Sequence, residues 1–385
     1  MYEYLKTIPL VDTHVHRLHP DRDPEFGQIA GGYIPGPGQQ EHARQTILYS
    51  MMMDALRQRF GMPADSSDAD VEAERFRHYN ADPAEYSRML LNEGNVALYC
   101  FEIGSPLRGK EYTKEEASWF SALIPKEKQR VIVRIERSVD EVRKQKLPFS
   151  EFLDAFQNDL CSRIEKERAV ALKSSLAYYG GLNYTCVERA EAETAYERLR
   201  SGCGGRSEEK QLYIWTLLEA VEIAVKYDLP IQIHTGAGGG NYLDFCSFDP
   251  VGLTDFLRDK RVMNRVKIIL LHGGHPHEED TSFLTAQFSN VYTDFSGTFF
   301  LTTLKGPERM MALLERTPLD KVMYGSDGVM FPETSWFAAD YFRRRLGGVL
   351  EKLVADGYLR RTRAEEVGRM ILHDNAFGCY TKLKR

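Results

Sequence analysis

Short apolar runs recur along this chain, each bounded by polar or glycine-rich sequence, and between them hydrophobic positions repeat at helical spacing. The runs at 8–16, 96–101, 131–136, 170–173, 230–234, 266–272, 291–295 and 322–327 predict eight strands. Amphipathic stretches at about 114–123, 139–144, 149–166, 188–199, 210–227 and 250–259 predict helices between strands, and helices at 337–356 and 363–372 close the chain. Strands separated by helices pair in parallel through right-handed crossovers. Eight is the number that closes a (β/α)8 TIM barrel, with a doubly wound open sheet as the alternative. The passage between the first two strands, about 20–93, is longer than any ordinary connection. It opens with a proline- and glycine-rich loop and continues with helical patterns at about 41–60, 71–79 and 83–92, so it reads as a helical insertion placed to cover the mouth of the fold. No repeat or linker divides the chain, which is expected to form a single barrel domain over 1–385.

What favours the barrel is where the polar residues fall. His14 and His16 sit one residue apart on the first strand, so both project to the same side. Lys173 ends the fourth run, His234 the fifth, His272 the sixth and Asp327 the eighth, each directly after apolar residues or, for Asp327, after Tyr-Gly-Ser. In a TIM barrel those C-terminal ends converge on one rim. A lone lysine or aspartate buried there would cost several kcal/mol unless paired or bound to a metal. Any one of the histidines reads more simply as a satisfied core residue. Together they read as a metal centre, because neutral imidazole and carboxylate are the usual donors to divalent cations.

Bulk properties narrow the partners. A net charge of −6 from interspersed acids and bases leaves no basic footprint for nucleic acid. No apolar run approaches the roughly 20 residues of a membrane helix, and the N-terminus lacks the basic-then-apolar pattern of a secretory signal. Six scattered cysteines without a C-x-x-C read as reduced thiols, so a cytoplasmic protein acting on a small molecule is expected.

The order H-x-H, Lys, His, His, Asp on alternating strands resembles the amidohydrolase superfamily. The phrases Val11-Asp12-Thr13-His14-Val15-His16, Leu271-His272-Gly273-Gly274 and Tyr324-Gly325-Ser326-Asp327, with the closing His373-Asp374-Asn375-Ala376, look like its "amidohydrolase 2" branch of metal-dependent hydrolases. The resemblance implies one metal on His14, His16 and Asp327, and a second on His234 and His272 with Lys173 carbamylated (from CO2) and bridging both. The competing arrangement, that of the superfamily's non-oxidative decarboxylases, has one metal on His14, His16, His234 and Asp327. His272 is then a proton donor or substrate contact, and Lys173 stays an amine. The donor set suits zinc first, then manganese or iron. Asp327 is the candidate base in hydrolysis, which would cleave an amide, ester or related C–N or C–O bond, with His272 as a second catalytic candidate. A barrel that has lost activity and binds a metabolite is the reading from another class. The resemblance also implies a homo-oligomer without indicating an interface.

Two further residues are substrate-binding candidates. Arg134 ends the third run and is read either as a clamp on a substrate carboxylate or as the ion-pair partner of Glu136. Tyr178, just past Lys173, offers a phenol near the centre. His275 and His277 read as loop residues. The run Gly236-Ala237-Gly238-Gly239-Gly240-Asn241 lacks the spacing and the Gly-Lys-Ser/Thr of a phosphate-binding loop, and is expected to let backbone approach a ligand.

Overall fold

The computed structural model describes residues 1–20, 25–32, 40–104, 113–239 and 243–384. Parts of the glycine-rich passages, at 21–24, 33–38 and 240–241, therefore lie outside the described residues. Eight strands form one sheet in chain order: β1 (Leu10–His16), β2 (Val96–Ile103), β3 (Gln129–Arg134), β4 (Ala171–Ser174), β5 (Ile231–Ile233), β6 (Ile268–Leu270), β7 (Val291–Asp294) and β8 (Val322–Met323). Each pairs in parallel with the next. Backbone bonds then join the last strand and its continuation to the first: Thr13 N–H to the Tyr324 carbonyl at 3.2 Å, Asp327 N–H to that of His14 at 2.9 Å, and His16 N–H to that of Gly328 at 2.8 Å. The ring is a TIM barrel, not an open sheet.

Alternation along the strands decides what faces inward. Val11, Leu98, Cys100, Ile132, Ala171, Ile269 and Met323 share one buried cluster with Tyr380 and Leu383, which stop the barrel from below. Val133, Leu172, Ile231, Ile233, Ile268 and Leu270 belong to another, shared with the surrounding helices. With Ala171 inward and Leu172 outward, Lys173 faces inward again, and Gln232, between two outward isoleucines, does the same.

The insertion after β1 forms helices Phe26–Ala30, Gln40–Ala43, Ile47–Arg59, Asp68–Ala81 and Pro83–Glu93. Their starts are signalled locally. Thr46 accepts from the Tyr49 N–H, Ser67 and Asp70 form a capping box, and Asp82 accepts from Ala84 and Glu85 N–H groups ahead of Pro83. Phe26, Leu48, Met52, Met53 and Val71 pack on Met330, Phe331, Phe337 and Tyr341. The insertion thus braces the segment that follows β8. No helix among the described residues is long and apolar enough to cross a membrane.

Candidate metal centre

Two of the apolar runs, 266–272 and 322–327, continue past the strands they contain because the chain leaves the sheet with a twist. His272 and Asp327 both adopt left-handed backbone, with φ of 64° and 53°. That region is sparsely used by residues other than glycine and persists where surrounding contacts enforce it. Here the His272 N–H donates to Asp294 Oδ1 at 2.9 Å, and the Asp327 N–H to the His14 carbonyl. The turn brings Asp327 back over β1. His14 Nε2 and His16 Nε2 each lie 3.3 Å from Asp327 Oδ1, and one donor atom from each of the three residues falls within 4.8 Å of the other two.

The far side of each imidazole is also held. His14 Nδ1 is 3.1 Å from Gln232 Oε1, whose amide group donates to the Thr13 carbonyl and the Tyr380 hydroxyl. His16 Nδ1 is 3.2 Å from Glu102 Oε2, a charge contact outside hydrogen-bond geometry. Both rings therefore turn Nε2 toward Asp327. His272 packs edge-on to His14 and to His234, its Nε2 3.0 Å from His234 Nδ1 and its Nδ1 against Ser296. His234 Nε2 is buried with no hydrogen-bond partner among the described residues. Tyr178 lies against the His234 ring at 4.6 Å. Gly238 covers both: a Cβ there would come within 2.0 Å of the Tyr178 hydroxyl and 2.7 Å of His234 Nε2, so the close approach needs glycine.

Charge is distributed unevenly. Burial lowers the pKa of His14 to about 3 with Lys173 adding to it, lowers that of His272 to about 4, and holds His234 well below its ordinary value. Burial pushes Asp327 up, but His272, His14 and His16 outweigh it and hold the carboxyl well below the usual range. His16 is the exception among the rings: burial lowers it, and its contacts with Asp327 and Glu102 bring the net shift above the ordinary value. Burial, reinforced by Arg134, brings Lys173 down to about 8. Among the described residues, the Lys173 amine has no hydrogen-bond or ion-pair partner, although it is only 2% exposed.

Of the two readings of Arg134, the ion pair with Glu136 does not form. β3 ends at Arg134 and the helix Ile135–Arg143 begins at once, turning Glu136 to Ser174 Oγ (2.6 Å) and the Ser175 N–H (2.9 Å). Arg134 instead donates to Glu102 Oε2 at 2.7 Å. His275 and His277 stand apart from the centre as expected. His275 pairs with Glu278, and His277 with Asp249 and Asp280 in a more exposed group of three.

Comparison with known proteins agrees with this fold. The fold matches a Lactobacillus casei protein described as a metal-dependent hydrolase, with a TM-score of 0.82 at 19% identity over 100% of this chain and 98% of that one. It also matches uronate isomerase of Thermotoga maritima, with a TM-score of 0.70 at 16% identity over 98% and 96%. Residues 197–380, just under half of the chain, match the Amidohydro_2 family model, described as amidohydrolase. That part of the chain is similar to the amidohydrolase family, and the whole chain shares the barrel fold of the two solved structures. Protein fluG of Emericella nidulans is 27% identical over 224 residues, 55% of this chain but 25% of the fungal protein, so the chain spans about a quarter of that relative's length.

Glu102, Gln232, Asp294 and Ser296 are the residues of this centre that sequence reasoning missed. The available signal was polarity inside an apolar strand: Phe-Glu-Ile in β2, Ile-Gln-Ile in β5 and Thr-Asp-Phe at the end of β7.

Proposed function

We propose that this chain is a metal-dependent hydrolase that cleaves an amide, ester or related C–N or C–O bond of a small carboxylated molecule. The carrying observation is the meeting of His14, His16 and Asp327, from the two strands that close the barrel, with donor atoms within 4.8 Å of one another. Two imidazoles and a carboxylate suit zinc, manganese or iron, and three protein ligands leave room for water and substrate. The unpartnered, buried His234 Nε2 is the next available donor. When bound there, a divalent cation supplies a Lewis acid and brings the pKa of water to about 7.

The chain's own residues account for the rest. Asp327 spends Oδ1 on the two histidines, while Oδ2 lies 3.9 Å from His272 Nδ1 and remains able to take the proton of the attacking water and pass it to the leaving group. Lys173, buried and without a partner, suits a substrate carboxylate as an ammonium. As a free amine it suits CO2, which would give the carbamate needed for a two-metal site. Arg134, held by Glu102, adds positive charge beside it. Six free cysteines, three of them exposed, suit a reducing compartment, and on that ground we place the enzyme in the cytoplasm.

A second reading, a one-metal non-oxidative decarboxylase, is favoured by one observation. Both ring nitrogens of His272 are already engaged, by Ser296 and His234, which leaves that residue no nitrogen for a second ion.

The test combines metal analysis with turnover on carboxylated amides, esters and lactones. Zinc bound per chain, hydrolysis lost on chelation and restored by zinc, and a fall of about 10³-fold in Asp327→Asn are the expected results. Release of CO2 without hydrolysis selects the decarboxylase. A chain that binds no divalent metal overturns both, and leaves a metabolite-binding barrel.

A further inference from the structure

We propose that Asp294 and Ser296 set the proton order of the His272–His234 pair, so that His234 turns an unprotonated Nε2 toward the His14–His16–Asp327 group. Asp294 is then a positioning residue, acting through two rings it does not itself present to substrate. The consequence for metal and substrate rests on the hydrolase reading above; the proton order does not.

The argument starts at the end of β7. Asp294 is fully buried, and its Oδ1 accepts three bonds: from the His272 N–H at 2.9 Å, the Ser296 N–H at 3.1 Å and the Ser296 hydroxyl at 2.7 Å. These hold His272 in its left-handed turn and fix Ser296 beside the ring. Two oxygens of Ser296 then face His272 Nδ1, the carbonyl at 3.2 Å and Oγ at 2.9 Å. A carbonyl oxygen can only accept, and the hydroxyl proton is already committed to Asp294. Nδ1 must therefore carry the proton.

The rest follows by exclusion. A neutral imidazole has one N–H, so His272 Nε2 is an acceptor, and the group facing it at 3.0 Å is His234 Nδ1. His234 therefore donates from Nδ1 and keeps a lone pair on Nε2, the atom that is buried without a partner. A backbone carbonyl at one end of the relay dictates which nitrogen is bare at the other. That atom is equipped to bind a cation or accept a proton, and not to donate one. His272 is equipped for neither, because both its nitrogens are spoken for.

The test reads the rings directly in metal-free, fully folded protein labelled with ¹⁵N-histidine, where protonated and bare ring nitrogens are resolved by their shifts. The wild type is expected to show Nδ1–H and bare Nε2 for both His272 and His234. Asp294→Asn keeps an acceptor oxygen and should retain that pattern, with zinc affinity within about threefold of wild type. Asp294→Ala should mix the two tautomers and weaken zinc binding, titrated with zinc alone, by about tenfold or more. A proton on Nε2 of either ring in the wild type overturns the proposal. So does Asp294→Asn behaving like Asp294→Ala, or Asp294→Ala showing an unchanged spectrum and affinity. Should Asp294→Ala fail to fold, Ser296→Ala takes its place: a second tautomer supports the relay and an unchanged spectrum overturns it. Wild-type protein with the expected spectrum but no hydrolysis would sink the hydrolase reading and leave the proton order standing.

Discussion

Glu102 shows how a side chain two bonds removed from a ligand shapes what the ligand meets. It is buried, accepts from Arg134 at 2.7 Å and faces His16 Nδ1 at 3.2 Å; Arg134 and His16 hold its pKa at about 2 against the upward push of burial. Replacing it with Gln keeps an acceptor for His16 but strands the Arg134 charge. We expect Glu102→Gln to weaken zinc binding by roughly 10- to 100-fold and to cost about 3–5 kcal/mol of stability. Chelator competition and urea unfolding check the two effects separately, and an unchanged zinc affinity would show that His16 needs no such support. Asp140 supplies a pH test. Burial raises its carboxyl above the ordinary 3.8, against hydrogen bonds from Tyr213 and Tyr179. The folded chain keeps that proton to higher pH than the unfolded one. The stability it contributes is therefore complete below the ordinary carboxylate value and is lost as pH rises through the raised one. Asp140→Asn should flatten that decline in urea midpoints taken from about pH 3 to about pH 6, and an identical slope would refute the assignment. Residues with donor chemistry at strand ends, such as His14, His16 and Asp327, were legible in the sequence because burial of such groups demands a reason. Glu102 was not, because the apolar run was ended at Phe101 while β2 continues to Ile103. Ring orientation was not legible at all: the partner that turns His14 is 218 residues away.

Elements were easier to read than contacts. All eight strands lie within their predicted apolar runs or extend them by a few residues, since a run buried on both faces is what a parallel barrel strand requires. Their ends were harder to place. Runs 266–272 and 322–327 carry the pattern past the sheet, but the strands stop at Leu270 and Met323, before the turns that carry His272 and Asp327. The insertion was legible as helices, but its anchor was not. Arg75, in helix Asp68–Ala81, meets Glu333, in the first turn of Pro332–Ala355, at 2.6 Å with both side chains fully buried. Phe26 and Tyr79 lie within 4.2 and 4.5 Å of the guanidinium, and the Tyr86 hydroxyl donates to Glu333 at 2.8 Å. Removing one partner leaves a buried charge uncompensated, which costs more than removing both. Arg75→Met should therefore lose about 3–5 kcal/mol, and adding Glu333→Leu should restore at least half. Losses in the double variant equal to or above those of the single one would show that the pair is not the anchor.

At the scale of the whole barrel, the donor group straddles the seam. His14 and His16 belong to β1, Asp327 follows β8, and β8 itself contributes only two residues to the sheet. The seam therefore relies on a few backbone bonds at 2.8–3.2 Å and on whatever joins these three side chains. In the metal-free chain His16 and Asp327 attract each other, as the raised imidazole and lowered carboxyl show. A cation gripped from both sides would replace that attraction with bonds that exist only when the ring is closed. Binding confined to the folded state stabilises it by about 2.7 kcal/mol at a free ion concentration 100 times the dissociation constant. Zinc should accordingly raise the melting temperature and slow hydrogen exchange at the His16 and Asp327 amides, two of the donors that cross the seam. His14→Asn and Asp327→Asn should each abolish both effects, because a ligand on one side alone cannot clasp it. Asp280→Asn, which alters the exposed group of Asp249, His277 and Asp280, should leave both effects in place. A zinc-induced rise that survives in Asp327→Asn but disappears in Asp280→Asn would place the stabilising ion on the surface, and not at the closure of the barrel.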